Sequence, residues 1–237
     1  MTNEEMREIC IDRKEIYDGV VLHVTKDTVR LPSGGTSIRE VAWHRGAVCV
    51  VPVTEDGEII FVEQFRYAMG RVLLEIPAGK LEAGETDRPA AARRELSEET
   101  GYTADNLIDL GKYFGCPALI SEDINIYLAT GLHPGECHPD EDEFLRLRKI
   151  PIAEAVEMVA RGEIPDGKTQ LGILRAKLWM EMRGGQAENY AHLVGSTSRS
   201  GNSHIRPLRQ SKPYGAGGAS PSPTDNVKSP LHRLSIS

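Results

Sequence analysis

The sequence has few cysteines, no apolar leader and no long apolar run, and each scarcity excludes a class of protein. The four cysteines contain no CxxC pair of the kind found in zinc and redox motifs. The N-terminal segment lacks the apolar run of a signal peptide, and no window approaches the apolar length of a membrane span. We therefore expect a cytoplasmic protein that does not enter a membrane. The cysteines are Cys10, Cys49, Cys116 and Cys137.

Most of the chain also lacks a basic excess. The whole chain carries a formal net charge of −7, whereas residues 184–237 contain six basic and two acidic residues, so residues 1–183 carry −11. An acidic body does not favour a nucleic-acid-binding surface, because such surfaces neutralise phosphates with Lys and Arg. It suits a protein that meets phosphate groups through metal ions.

Composition divides the chain into three parts. Residues 184–237 are rich in Gly, Ser, Pro and Asn and poor in large apolar residues, which predicts a low-complexity, disordered tail. Residues 1–38 contain short β-branched segments broken by turn signals, which predicts a small N-terminal antiparallel β segment. Residues 39–183 combine strand patterns with helical patterns between and after them, so we expect an α+β sandwich there.

Local patterns predict the elements of this central part. The Asp56-Gly57 pair marks a hairpin turn between strands at 47–53 and 58–65. A polar loop is expected at 131–143. Further strands are predicted at 71–76, 106–113, 124–129 and 144–150, and amphipathic helices at 152–160 and 170–182.

One segment concentrates glutamates on a predicted helix. Residues 86–89, Thr-Asp-Arg-Pro, predict its N-terminus, with Thr or Asp as the cap and proline in the first turn. Glu95 lies one turn from both Glu98 and Glu99 on a shared face, and Arg94 is within reach of an ion pair with Glu98. Like charges at this spacing destabilise an isolated helix by roughly 0.2–0.5 kcal/mol per pair. We therefore expect a divalent metal ion to offset them.

The sequence from Gly79 to Tyr102 resembles the Nudix box: Gly, five residues, Glu, a spacer, then Arg-Glu-aliphatic-x-Glu-Glu-x-Gly and an aliphatic or aromatic residue. The spacer after Glu85 has eight residues where the family usually has seven, which leaves the position of Glu85 open. The segment EQFRYAMGRVLLEIPAGKLE resembles the approach to the box in ADP-ribose pyrophosphatases. Pro117 stands fifteen residues after Tyr102, where a proline is associated with the ADP-ribose group.

The resemblance implies a Nudix-type α/β/α sandwich with a mixed sheet. It implies hydrolysis of ADP-ribose to AMP and ribose 5-phosphate, with other nucleoside-diphosphate sugars as further substrates. The implied cofactor is Mg²⁺, with Mn²⁺ as an alternative, held by the backbone carbonyl of Ala78 and the carboxylates of Glu95, Glu98 and Glu99. A homodimer is also implied, in which N-terminal strands cross to the partner.

Further site residues follow from the same resemblance. An acidic loop supplies the catalytic base, for which Glu143 is the first candidate and Glu141 the second, while Arg94 supports the catalytic Glu98. The implied substrate-binding residues are Arg66, Glu75 and Pro117. Two alternatives stay open: a hydrolase of another nucleotide sugar or of a dinucleotide, and a non-catalytic Nudix-like binding module. Such a module would be expected to lose carboxylates of the box.

Overall fold

The structure is a computed structural model that describes residues 2–139 and 143–184. Glu141 and residues 185–237 of the predicted tail lie outside the described residues. No helix in the described ranges has the length and apolar character needed to span a membrane. The elements are β1 (Ile9–Asp18), β2 (His23–Arg30), β3 (Thr36–Trp43), β4 (Ala47–Pro52), β5 (Glu58–Arg66), a 3₁₀ helix (Tyr67–Met69), β6 (Arg71–Glu75), β7 (Ala78–Lys80), α1 (Arg88–Thr100), β8 (Tyr102–Tyr113), β9 (Ile124–Pro134), β10 (Leu145–Pro151), α2 (Ile152–Ala160) and α3 (Gly167–Gly184).

The centre of the fold is a four-stranded mixed sheet in the order β7-β4-β9-β8. Strands β4 and β9 are parallel, and the other neighbours are antiparallel. Every residue of β4 is buried because a helix covers each face of the sheet. Val48 and Val50 pack in one cluster with Leu96 of α1, whereas Cys49 and Val51 belong to the cluster that contains residues of α3. This layering confirms the predicted α+β class and α/β/α sandwich.

Strand β5 belongs to a second sheet, with the antiparallel order β10-β5-β6, so the predicted hairpin between β4 and β5 is wrong. A turn does form at the predicted place, because Gly57 has φ +76° and its N–H donates to the Thr54 carbonyl at 3.0 Å. One isolated bridge joins Val53 to Ile59. The strands then diverge, since β7 and β9 occupy both edges of β4 and leave none for β5. The other predicted strands and helices form, with β8 and β9 longer than predicted.

The N-terminal residues form a third sheet, the antiparallel β1-β2-β3, as their strand patterns predict. Its last strand, Thr36–Trp43, crosses the boundary predicted between residues 38 and 39, and the division into domains there stays a prediction. Strand β1 is exposed along its whole length and presents Ile9, Ile11 and Ile16 to solvent. The sheet therefore offers an apolar surface that β1 to β3 do not cover themselves.

Helix α1 carries the glutamate-rich segment, and local sequence fixes both of its ends. The Asp87 carboxylate accepts a hydrogen bond from the Ala90 N–H at 3.0 Å, with Pro89 in the first turn. Gly101 ends the helix at φ +73°, a left-handed conformation that glycine adopts without steric cost. These contacts confirm the helix N-terminus predicted at 86–89.

Candidate functional site

The acidic face of α1 lines a cleft of about 1090 Å³. Its walls come from the N-terminal sheet, from β5, β7 and α1, from the loop before β10 and from the start of α3. The structure therefore brings together residues from widely separated parts of the sequence. The predicted site residues that line the cleft are Arg66, Ala78, Arg94, Glu95, Glu98 and Glu143.

Three carboxylates surround the guanidinium of Arg94. Its Nη1 lies 2.8 Å from Glu95 Oε1 and 2.8 Å from Glu98 Oε2, and its Nη2 lies 3.3 Å from Glu85 Oε2. Burial opposes the charged form, but Glu95 and Glu98 outweigh it and raise the pKa of Arg94. The predicted ion pair with Glu98 is therefore present, within a larger group that fixes the carboxylates relative to one another. Nε of Arg94 is buried and has no hydrogen-bond partner among the described residues.

Glu85 keeps its place beside the helix despite the longer spacer. Its Oε2 accepts a hydrogen bond from the Glu82 N–H at 2.9 Å and another from Arg94 at 3.3 Å. The spacer leads into the capping turn at Asp87, ahead of the first helical residue, where loops accommodate extra residues more readily than helices do. The eight-residue spacer therefore does not separate Glu85 from Arg94.

Strand β7 lies directly against the carboxylates of α1. The Ala78 N–H donates to Glu99 Oε2 at 3.2 Å. A Cβ atom built on Gly79 would lie 2.0 Å from both Cδ and Oε1 of Glu95, far inside van der Waals contact. Only glycine at position 79 therefore leaves the Glu95 carboxylate where the structure places it, because any Cβ would displace that carboxylate.

Burial and mutual repulsion shift the protonation of two of these acids. Burial, reinforced by the charges of Glu143 and Glu95, raises the pKa of Glu99 to about 8. Burial also raises the pKa of Glu95 to about 7, although Arg94 opposes this shift. Glu95 and Glu99 are 8% and 3% exposed, so solvent contributes little to stabilising their ionised forms. A cation bound between them would favour ionisation and offset this cost.

The donor atoms suit a hard divalent cation. The available ligands are carboxylate oxygens of Glu95, Glu98 and Glu99 and the backbone of Ala78, with no His or Cys side chain among them. Within the described ranges, no three acidic, His or Cys side chains form a ready-made metal cage. Arg94 instead lies between the carboxylates, so cation binding here requires the glutamate side chains to adjust around it.

The loop before β10 contributes Glu143 to the same place. Glu143 lines the cleft and acts electrostatically on both Glu95 and Glu99. The preceding loop is anchored on the end of α1, because the His138 N–H and the Cys137 thiol donate to the Glu98 carbonyl at 3.0 and 3.1 Å. This anchoring was not predicted, since a thiol-to-carbonyl contact has no spacing pattern in the sequence.

Arg66 and Glu75, both predicted to bind substrate, bind each other. Arg66 Nε and Nη2 donate to Oε1 and Oε2 of Glu75, each at 2.7 Å. Lys168 Nζ donates to the same carboxylate, and the net effect on the largely buried Glu75 is a lowered pKa. Glu75 therefore binds the side chains of Arg66 and Lys168 in the described part of the chain. Its predicted contact with substrate stays a prediction. Lys168 and its neighbour Asp166 line the cleft but were not predicted, since their sequence shows only a helix start.

Pro117 lies outside this group. It is exposed in a turn closed by hydrogen bonds from the N–H groups of Leu119 and Ile120 to the Cys116 carbonyl at 3.0 and 2.9 Å. Its neighbour Gly115 lines the cleft. The predicted contact between Pro117 and substrate stays a prediction.

A helix-borne group of carboxylates beside a cleft that also holds Arg66 offers the donor groups that divalent cations and phosphorylated ligands prefer. The model of the NUDIX domain family matches residues 43–169, and the chain belongs to this family. The match includes the segment from Gly79 to Tyr102, whose resemblance to the Nudix box is thereby confirmed.

Two curated relatives match most of the chain. An ADP-ribose pyrophosphatase of Bacillus subtilis is 39% identical over 172 residues, which cover 72% of this chain and 92% of the relative. A methanol dehydrogenase activator of Bacillus methanolicus is 39% identical over 168 residues, or 70% of this chain and 90% of the relative. Among solved structures, an ADP compounds hydrolase superposes with a TM-score of 0.67 at 22% identity, covering 75% of this chain and 96% of that one. This last likeness confirms the fold.

Proposed function

We propose that this protein hydrolyses the diphosphate of ADP-ribose to AMP and ribose 5-phosphate with the help of Mg²⁺. The observation that carries the proposal is that Glu95 and Glu98 line a cleft that also contains Arg66, while the buried Glu99 of the same helix accepts a hydrogen bond from the Ala78 N–H beside them. The similarity to an ADP-ribose pyrophosphatase over nine-tenths of that relative supports the choice of substrate. Other nucleoside-diphosphate sugars contain the same diphosphate, and we propose them as further substrates of this protein.

The α1 carboxylates hold the cofactor in this proposal. Glu95, Glu98 and Glu99 bind Mg²⁺, or Mn²⁺ in its place, together with the backbone carbonyl of Ala78. When bound, the metal supplies positive charge to the phosphate oxygens and lowers the pKa of a coordinated water. Arg94 holds Glu95 and Glu98 close to each other, because it contacts both at 2.8 Å, and the two carboxylates adjust around it when the cation binds.

The remaining roles concern the substrate and the proton. Arg66 binds the diphosphate oxygens, for which its planar guanidinium is suited. Glu143 accepts a proton from the attacking water, with Glu141 of the same loop as the second candidate. The water oxygen forms a bond to one phosphorus atom, the bridging P–O bond breaks, and two monophosphates leave. The bond cleaved joins the AMP and ribose 5-phosphate halves, so atoms and charge balance.

Two properties of the whole protein belong to the same proposal. We propose a homodimer in which a second copy covers the exposed apolar side chains of β1, among them Ile9, Ile11 and Ile16. Light scattering coupled to size exclusion should give twice the chain mass, and a monomer would contradict it. A cytoplasmic location is supported by the four free cysteines, of which three are exposed.

The experiment that tests the function is product analysis with a small substrate panel. The full-length protein is incubated with Mg²⁺ and ADP-ribose, or with a nucleoside-diphosphate sugar carrying another base or sugar, and the nucleotides are separated by chromatography. AMP and ribose 5-phosphate in equal amounts are expected from ADP-ribose. If only another nucleotide sugar is hydrolysed, that compound replaces ADP-ribose as the substrate. Tight binding without products would favour the non-catalytic module, although the chain retains Glu95, Glu98 and Glu99, which such a module is expected to lose.

A further inference from the structure

Lys168 shares a buried carboxylate with Arg66. Glu75 is 1% exposed, and Arg66 engages both of its oxygens at 2.7 Å. Oε2 of Glu75 also accepts a hydrogen bond from Lys168 Nζ. Both cations line the cleft, on a wall contributed by β5 and the start of α3.

The start of α3 holds Lys168 in place. Lys168 Nζ lies 3.1 Å from Asp166 Oδ2, which also accepts a hydrogen bond from the Thr169 N–H at 2.9 Å. The Thr169 hydroxyl accepts a hydrogen bond from the N–H of Ile76, the residue after Glu75, at 3.0 Å. The start of α3 is therefore joined to the end of β6 twice, once through Lys168 and once through Thr169.

The two cations differ in how far they reach into solvent. The Arg66 side chain is 40% exposed, whereas that of Lys168 is 13% exposed. Arg66 is thus the cation presented to a ligand in the cleft, and Lys168 lies behind it against Glu75. Because Lys168 binds Oε2, it restricts rotation of the carboxylate plane, and the bidentate contact passes this restriction to the planar guanidinium.

We propose that Lys168 is a positioning residue for substrate binding, which acts through Glu75 to fix the Arg66 guanidinium toward the diphosphate. The inference rests on the proposed function, since it takes Arg66 to contact the substrate. It adds a residue that lies far along the chain from the segment Gly79 to Tyr102 and that has no part in holding the metal. Lys168 determines affinity for the substrate more than the rate of bond cleavage.

A double-mutant cycle on the full-length protein tests this. KM and kcat for ADP-ribose are measured for the wild type, Lys168→Gln, Arg66→Gln and the double variant. Loss of a charged contact to the diphosphate in Arg66→Gln is expected to raise KM by about 10-fold or more. Lys168→Gln should raise KM by about 3- to 10-fold with a smaller change in kcat. The double variant should match Arg66→Gln within about twofold, because no guanidinium remains to be positioned.

Several results would overturn the inference. Effects on KM that multiply in the double variant would mean that Lys168 acts independently of Arg66. A lower melting temperature with unchanged KM would assign Lys168 a structural role alone. Lys168→Arg, which keeps the charge, should restore KM most of the way if Lys168→Gln folds poorly. Lys177→Gln is the matched control on α3, since Lys177 pairs with Glu181 at 3.2 Å, and its KM should equal that of the wild type.

A second readout does not depend on turnover. The Nε–H group of Arg66 gives an NMR signal whose position and exchange rate report its hydrogen bond to Glu75. This signal should shift and exchange faster in Lys168→Gln, and an unchanged signal would overturn the inference even if the wild type proved inactive on ADP-ribose. Wild-type turnover thus tests the proposed function, whereas the signal and the cycle test the role of Lys168.

Discussion

Replacing Gly79 by alanine should separate the stability of the fold from the function of the site. The new Cβ would lie 2.0 Å from Glu95 Cδ, and ordinary contact begins at 3.4 Å, so the carboxylate must move by more than an ångström. The moving group is the end of a flexible side chain, and Gly79 does not have a positive φ, so the backbone tolerates alanine. Gly→Ala at such a position also gains about 0.4–1 kcal/mol through the unfolded chain.

We therefore expect Gly79→Ala to leave the melting temperature nearly unchanged while activity collapses. A misplacement of about 1 Å can cost roughly 100-fold in rate, and we expect a loss of that order in kcat for ADP-ribose. Mn²⁺ affinity, measured by titration calorimetry, should weaken in parallel. Gly35→Ala is the control, because its nearest neighbour is Ser33 Oγ at 3.8 Å, and it should behave as the wild type. Wild-type activity and metal affinity in Gly79→Ala would show that the Glu95 carboxylate is not used where the structure places it.

Three further predictions concern the acids, their arginine and the core beneath them. Because the folded-state pKa values of Glu99 and Glu95 are raised from the usual 4.5 to about 8 and about 7, these two acids should make the metal-free protein progressively less stable as the pH rises from about 4.5 toward 8. Mg²⁺ should recover most of this loss at pH 8, and melting curves that do not respond to Mg²⁺ at either pH would contradict it. Arg94→Lys replaces the planar guanidinium that contacts Glu85, Glu95 and Glu98 with a single ammonium group, so kcat should fall by about 10- to 100-fold. A wild-type kcat in this variant would show that Arg94 does not support catalysis. Leu96→Ala truncates a fully buried side chain on the inner face of α1 and should cost about 2–5 kcal/mol in denaturant unfolding, with KM unchanged in the folded protein. A cost near zero would contradict the packing described.

The features predicted correctly are those that neighbouring residues determine. The cap at Asp87, the end of α1 at Gly101 and the Arg94–Glu98 pair each depend on residues within one or two turns of each other. Their physics is local, so the sequence alone suffices. The contact between Arg94 and Glu85 spans nine residues across the longer spacer, and the sequence left it open.

The features missed depend on which distant segments meet. The turn at Gly57 was predicted, but the partners of β4 are β7 and β9, and the pairing of strands is set by packing across the whole fold. Lys168 and Glu75 are 93 residues apart, and no local pattern links them. The Cys137 contact with the Glu98 carbonyl spans 39 residues in the same way. A single sequence holds no direct record of such contacts.

The most direct test of the proposed function is release of AMP from ADP-ribose by the full-length protein, with and without Mg²⁺. A variant carrying Glu98→Gln and Glu99→Gln keeps the size of both side chains and removes two of the proposed metal-binding charges. We predict AMP release that requires Mg²⁺ in the wild type and falls by about 100-fold or more in the variant. Equal AMP release by the folded variant, or none by the folded wild type with Mg²⁺, would contradict the proposed site and its chemistry.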